Sequence, residues 1–218
     1  MKWRAPVIAA GCALATAAAL AIPAAAPATA AAPGNLILNG DAEFGPFAHD
    51  DHSIATPVGW KTTGSFTALL YQEPGATIAG SIGAAASTAI HGGRALFAGG
   101  PRSGTASATQ TFAIPKSLLA AVAAGRARAT AAAALGGWQS QGDAATVTYR
   151  WLSAGGNELG AVQLGPVTPA QRGNTTKLLP VAKTVAVPAA TRLVRVIITA
   201  TGGGYIDGYA DNVSLVLK

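Results

Sequence analysis

Nine carboxylates and three histidines supply most of the acid–base and metal-binding chemistry in this 218-residue chain, so their placement limits what it can do. Asp41 and Glu43 stand two residues apart, and Asp211 lies near the other end. Carboxylates are the hard oxygen donors that calcium collects in sets of roughly six to eight. The plainer reading has Asp41 and Asn39 forming an Asx-type turn, with Glu43 capping a neighbouring amide. His49-Asp50-Asp51-His52 is the one dense run of transition-metal donors, because imidazole and carboxylate suit zinc and similar ions. It stands between Pro46 and Pro57, where a solvated polar loop is the ordinary outcome.

A second kind of chemistry is the stacking of aromatic faces on sugar rings. Trp138 lies in the polar, glycine-rich Gly136-Gly137-Trp138-Gln139-Ser140-Gln141, a context that can expose an indole. Tyr205 and Tyr209 flank Asp207 in Gly204-Tyr205-Ile206-Asp207-Gly208-Tyr209. The alternative for each ring is burial in the core, which is the commoner fate of Trp and Tyr. Arg126, Arg128, Arg150 and Arg195 fall on or beside strand-like segments, and on neighbouring strands they would line a face that meets acidic glycans. A solvated face guarded against edge pairing is the competing account.

Catalysis finds little support. No histidine accompanies a G-x-S-x-G or forms H-E-x-x-H, and no glycine-rich loop precedes a helix to cradle phosphate. Cys12 is the only cysteine. Paired carboxylates can cleave glycosides, but Asp41, Glu43 and Asp211 have a better claim as ion ligands, and Asp143 and Glu158 fall in turn-like sequence. The expectation is a protein that is not an enzyme.

The elements that must position these residues are short and β-type. Asn35–Asn39, Ser65–Gln72, Gly93–Ala98, Thr105–Ile114, Thr146–Trp151, Arg192–Thr199 and Ala210–Leu217 read as strands bounded by Gly, Pro or Asn. In the fifth, Val147, Tyr149 and Trp151 share one face, and in the sixth Val194, Val196 and Ile198 do. Pro115–Ala124 carries proline at its start, apolar residues at helical spacing and Gly125 at its exit, and so predicts a helix. Thr168–Gln171 predicts one helical turn, and residues 73–92 read as a long mobile surface loop. Some nine or ten short strands in all, of which these seven are the clearest, and the lack of βαβ alternation predict an all-β antiparallel jelly-roll sandwich with one or two short helices.

Lys2 and Arg4, the apolar run from Ala5 to about Ile22, and Ala28-Thr29-Ala30 have the layout of a cleavable export signal over residues 1–32. A membrane anchor and a lipoprotein acylated at Cys12 are the alternatives; the alanine-rich run and the short stretch before Cys12 speak against each. Cleavage leaves roughly 185 residues, one domain by length, spanning 33–218 and free of disulfides. Removing Lys2 and Arg4 lowers the formal charge from +6 to +4. No basic stripe with interleaved aromatics is present, which argues against nucleic acid as a partner, and no second long apolar stretch follows the signal.

Three motifs in order carry a resemblance. They are Asn35-Leu36-Ile37-Leu38-Asn39-Gly40-Asp41-Ala42-Glu43 with Gly59-Trp60, then Gly93-Arg94-Ala95-Leu96-Phe97, then Tyr209-Ala210-Asp211-Asn212-Val213-Ser214-Leu215. Together they resemble the galactose-binding-like jelly-roll superfamily, to which xylan- and glucan-binding carbohydrate-binding modules belong. The resemblance implies that the first and last strands lie side by side, so that Glu43 and Asp211, with Asp41, hold a structural calcium ion. With the export signal and the lack of catalytic motifs, it leads to the expectation of an extracellular, non-catalytic protein that binds cell-wall or environmental polysaccharide, for which the sequence contexts above make Trp138, Tyr205, Asp207, Tyr209 and Arg150 the candidate contacts. The rival expectation is a structural or adhesive surface protein that binds another protein.

Overall fold

Side-chain alternation decides which way each strand faces, and the inward faces here are apolar. The structure is a computed structural model that describes Met1 and residues 34–72 and 82–218. The expected export signal and its cleavage site lie outside the described residues. Among the described residues ten strands form two five-stranded antiparallel sheets. One sheet has the order β1 (Lys61–Thr63), β4 (Gly104–Ala113), β9 (Leu193–Gly202), β6 (Ala144–Leu152), β7 (Glu158–Leu164). The other runs β2 (Thr67–Leu70), β3 (Ala95–Gly100), β10 (Ile206–Leu217), β5 (Arg128–Gly137), β8 (Lys177–Ala186). This is the all-β sandwich that the strand count and turn chemistry predict.

Between the sheets lies the main core. Val147, Tyr149 and Trp151 of β6 and Val194, Val196 and Ile198 of β9 all point into it, as their period-two spacing requires. Opposite them β5 offers Ala129, Ala131, Ala133 and Leu135, so small side chains face large ones across the sandwich. Trp60 packs edge-on to Phe97, with ring centroids 5.5 Å apart, and donates from Nε1 to the Asn39 carbonyl at 3.1 Å. The Tyr149 hydroxyl crosses the core and contacts the Ala132 and Ser214 carbonyls at 3.1 and 3.0 Å.

A second, smaller core covers the outer face of the β2–β3–β10–β5–β8 sheet. Leu69, Leu96, Ala98, Tyr209 and Ala134 meet Ala48, Ala55, Tyr71, Ile82 and Ile90. Here the expectation of a mobile loop over 73–92 fails from Ile82 onward, while residues 73–81 lie outside the described residues. Ala84–Ile90 forms a helix, α1, that buries Ser87 and Ile90 and ends at His91 in the left-handed region. Alanine gives this segment high helix propensity, and the apolar sheet face beneath it supplies a place to bury Ile90. The segment from Pro115 behaves as expected: a 3-10 turn, Lys116–Leu118, leads into α2 (Leu119–Ala123), which buries Val122.

The first expected strand is not formed. Asn35 makes an isolated bridge to Val216, and the chain then turns. The Asn35 side-chain oxygen accepts both the Ile37 amide at 3.0 Å and the Leu215 amide at 2.9 Å, taking the bonds a ladder would have used. As a result Ile37 is buried while Leu38 points to solvent at 62% exposure. The segment still lies against β10, because the Leu36 amide donates to Leu215 and the Val213 amide to Gly40.

Candidate ligand-binding site

The antiparallel register of β5 and β10 builds the site. Gly136 is paired with Tyr209, and Gly137 packs against the Asp207 carbonyl, which brings Trp138 and Asp207 to the same end of the sheet. A cavity of about 340 Å³ opens at this end, lined by Asp51, Trp138, Gln141, Gly203, Gly204, Tyr205 and Asp207. Three of the five residues expected to touch ligand, Trp138, Tyr205 and Asp207, therefore converge. Trp138 and Tyr205 are half-buried.

Asp207 is almost wholly enclosed and accepts a 2.6 Å hydrogen bond from the Tyr209 hydroxyl on Oδ1. Burial, with the nearby Asp143 charge adding to it, raises its carboxyl to about 6 against the bond from Tyr209. Its own amide donates to Asp143 Oδ2 at 2.8 Å. A side chain at Gly202 would run into the Asp143 carboxylate, so glycine there lets β9 pass close to it. The Tyr205 hydroxyl is buried and has no hydrogen-bond partner among the described residues. Burial, with the Asp207, Asp51 and Asp50 charges adding, pushes that phenol upward.

The loop carrying Trp138 is held from beneath by Arg172, which is fully buried. Its Nη1 donates to the Gly137, Gln139 and Thr175 carbonyls at 2.7, 2.7 and 3.0 Å, and Nη2 to the Gln141 carbonyl at 3.1 Å. Arg172 is aimed inward by the helical turn expected over Thr168–Gln171. There the Gln171 side chain accepts from the Thr168 amide at 2.8 Å, and the Gln171 amide donates to the Thr168 hydroxyl at 3.3 Å. The sequence reading missed Arg172; its signal was the Thr-x-x-Gln pattern immediately before it. It also missed Gln141, and treated Asp51 only as one member of a possible metal cluster.

In that cluster, Asp50 Oδ1 instead accepts the His52 and Ser53 amides at 3.0 and 2.7 Å, an Asx-type turn. His52 is open to solvent and lies 3.3 Å from Asp51. The loop is polar and presents Asp51 to the cavity.

Two expected ligand contacts fall elsewhere. Tyr209 is fully buried, so it positions Asp207 and presents no face to a ligand. Arg150 lies on β6 in the other sheet, where Nη1 pairs with Glu158 at 2.6 Å. Its register partner on β9 is Arg195, so two of the four arginines do share a sheet face.

Asp41, Glu43 and Asp211 also come together, and the expected closure of the chain's two ends is present. Gly92 packs against the Asp211 carboxylate and Gly93 against that of Glu43; a side chain at either would collide with it. Each carboxylate is already occupied by protein donors. Glu43 Oε1 accepts the Arg94 and Ala95 amides at 2.6 and 2.8 Å. Asp211 accepts the Tyr71 hydroxyl on Oδ2 and the Asn212 amide on Oδ1, both at 2.6 Å. Among the described residues no group of three or more His, Cys, Asp or Glu side chains is arranged to hold a metal ion. Glu43 Oε1 and both Asp211 oxygens are thus engaged by protein donors, which compete with an ion for their lone pairs. Burial, with Asp41 and Glu43 close by, raises Asp211 well above the usual carboxylate range.

No family model matches the sequence, and no curated protein matches it. Solved structures similar in fold include the enzymatically active domain of tailspike protein 4 of bacteriophage CBA120, at TM-score 0.51 and 16% identity over 85% of this chain and 22% of that one. This chain thus corresponds to about a fifth of the tailspike chain. The CBM22-1 xylan-binding domain from Paenibacillus barcinonensis aligns at TM-score 0.39 and 12% identity, over 78% of this chain and 91% of that one. A family 16 carbohydrate-binding module aligns at TM-score 0.39 and 17% identity, over 57% and 77%. The likeness is one of fold.

Proposed function

We propose that this chain is an exported carbohydrate-binding domain that catalyses no reaction of its own. The observation that carries the reading is the cavity where Trp138, Tyr205 and Asp207 meet. Aromatic rings there offer faces to the apolar side of a sugar ring. Asp51, Asp207 and Gln141 offer acceptors and an amide for its hydroxyls, and the unpartnered Tyr205 hydroxyl gains from any polar group that reaches it. At about 340 Å³ the cavity is at the small end of ligand pockets, which run from ~300 to 1,000 Å³, and suits a short glycan segment. Export is supported by the layout of residues 1–32, and among the described residues no helix is long and apolar enough to cross a membrane.

Calorimetry and a glycan array on the wild type and Trp138→Ala test the reading. Binding to at least one polysaccharide class, lost in the variant with its melting temperature kept within about 2 °C, is the expected result; the half-buried ring contributes little to the core. Release of reducing ends by the pure protein would overturn the non-catalytic part. One observation favours the adhesive reading instead. Leu38, Phe44 and Val58 are 62%, 70% and 40% exposed, and the turns at Gly45 and Gly59 pack against Val58 and Leu38. Failure on every glycan, with capture of a surface protein lost in Phe44→Asp, would put that reading first.

A further inference from the structure

From the charges around the cavity we infer that its preferred ligand is a glycan bearing free amino groups, a 2-amino-2-deoxyhexose polymer, and not a neutral or acidic one. The inference rests on the carbohydrate-binding reading and narrows it to a ligand class.

The chain as a whole is basic, yet this end is acidic. Asp51 and Asp207 line the cavity. Asp50 acts on Tyr205 and Asp143 on Asp207, so four of the chain's nine carboxylates act on this site. Among the described residues no lysine or arginine lines the opening. Of the cations around the site, Arg172 is buried beneath the Trp138 loop with its Nη donors spent on four backbone carbonyls, while Lys177, the register partner of Gly137, and Arg102, next to the Ser103 that accepts the Gly204 amide, stand outside the lining. His52 is open to solvent and beside Asp51.

Such a field repels a uronate and attracts an ammonium, and the enclosure of Asp207 strengthens both effects. The aromatic lining acts in the same direction. A cation held against the face of Trp138 or Tyr205 is stabilised by the ring quadrupole, while the apolar face of the sugar ring covers the rest of the indole. An ammonium on the ring also brings donors to the two carboxylates that line the site, Asp51 and Asp207. Carboxylates can hold other ligands, but aromatic faces together with carboxylates in a cavity of this size select a cationic ring.

Titration calorimetry against four probes tests this: a glucosamine tetramer, its N-acetylated counterpart, a tetragalacturonate and tetralysine. The glucosamine tetramer is expected to bind at least about tenfold more tightly than the acetylated one and the uronate. That preference should shrink to near parity in Asp51→Asn, a half-buried position whose substitution leaves the core untouched. Asp207→Asn serves as the second variant, with the same expectation. Equal binding of the amine and acetylated tetramers, or a preference for the uronate, overturns the inference while leaving carbohydrate binding in place. Tetralysine binding as tightly as the glucosamine tetramer overturns the sugar part and leaves only a cation site. Binding of none of the four, when the glycan array yields another ligand, overturns the inference alone; silence on both overturns the underlying reading as well.

Discussion

Replacing Asp207 with asparagine is expected to stabilise the protein at pH 8 and to change little at pH 4. In the fold this carboxyl is enclosed and its proton is held up to about 6, against 3.8 for the free side chain. A carboxyl whose folded value lies above its unfolded value binds its proton more tightly when folded, so stability rises as pH falls through 6 towards 4. Above pH 6 the cost of the buried charge is fully present. A rise from 3.8 to about 6 corresponds to about 3 kcal/mol at 1.36 kcal/mol per pH unit. The cavity is open to water, which screens part of the field and brings the figure nearer 2 kcal/mol. Asparagine has the shape of the protonated acid, and its carbonyl can still accept the Tyr209 hydroxyl. The variant should therefore behave as a wild type locked in its acid form. With a urea slope of about 2 kcal/mol/M, the unfolding midpoint at pH 8 should move up by about 1 M and the two proteins should converge near pH 4. Urea titrations at pH 4, 6 and 8 read this directly. A variant no more stable than the wild type at pH 8, or a gap of equal size at every pH, would refute the account of Asp207 as a buried charge.

Three further outcomes are expected. Arg172→Met removes four bonds to backbone carbonyls and should cost about 3–5 kcal/mol in urea unfolding, with ligand affinity falling because the Trp138 loop loses its anchor; unchanged affinity in the folded fraction would show that the loop holds itself. Tyr71→Phe strips the enclosed Asp211 carboxylate of its hydroxyl donor and should cost about 1.5–3 kcal/mol without altering affinity, as calorimetry beside denaturation would show. Adding calcium to a chelator-stripped sample is expected to leave the melting temperature unchanged, since Glu43 and Asp211 are held by protein donors; a rise of several degrees would show that those donors yield to the ion.

Where the chain alternates cleanly, its structure was legible in advance. Val147, Tyr149 and Trp151, like Val194, Val196 and Ile198, announced their faces because burial on one side of a sheet demands period two. The Asn35 segment misled for the opposite reason. It has strand-like composition, but an asparagine side chain can satisfy the same amides as a neighbouring strand, and nothing in local sequence says which acceptor wins. The helix at Ala84–Ile90 was hidden because its seven residues carry too little periodic pattern to distinguish it from a small-residue loop. Trp138, Tyr205 and Asp207 could be picked out singly from their glycine-rich surroundings. Their meeting depends on the β5–β10 register, and Asp51 reaches them from a loop more than eighty residues away from Trp138, a contact no local pattern encodes.

Asp207 and Asp211 make clear why chemistry alone could not assign roles. Both are enclosed aspartates on β10, each bound at 2.6 Å by a tyrosine hydroxyl. Two-residue periodicity sets both, with Tyr209 between them, on the face that the second core covers. That cover is complete over Asp211, where Tyr71 and the glycines at 92 and 93 close around it. It ends before Asp207, where the β5–β6 and β9–β10 loops part and Trp138 and Tyr205 form the walls of a cavity. The same side chain, in nearly the same bonding, therefore closes the fold at one position and faces a ligand cavity four residues earlier. What separates the two roles is the edge of the second core, and that edge is set by where the 47–55 loop and α1 stop.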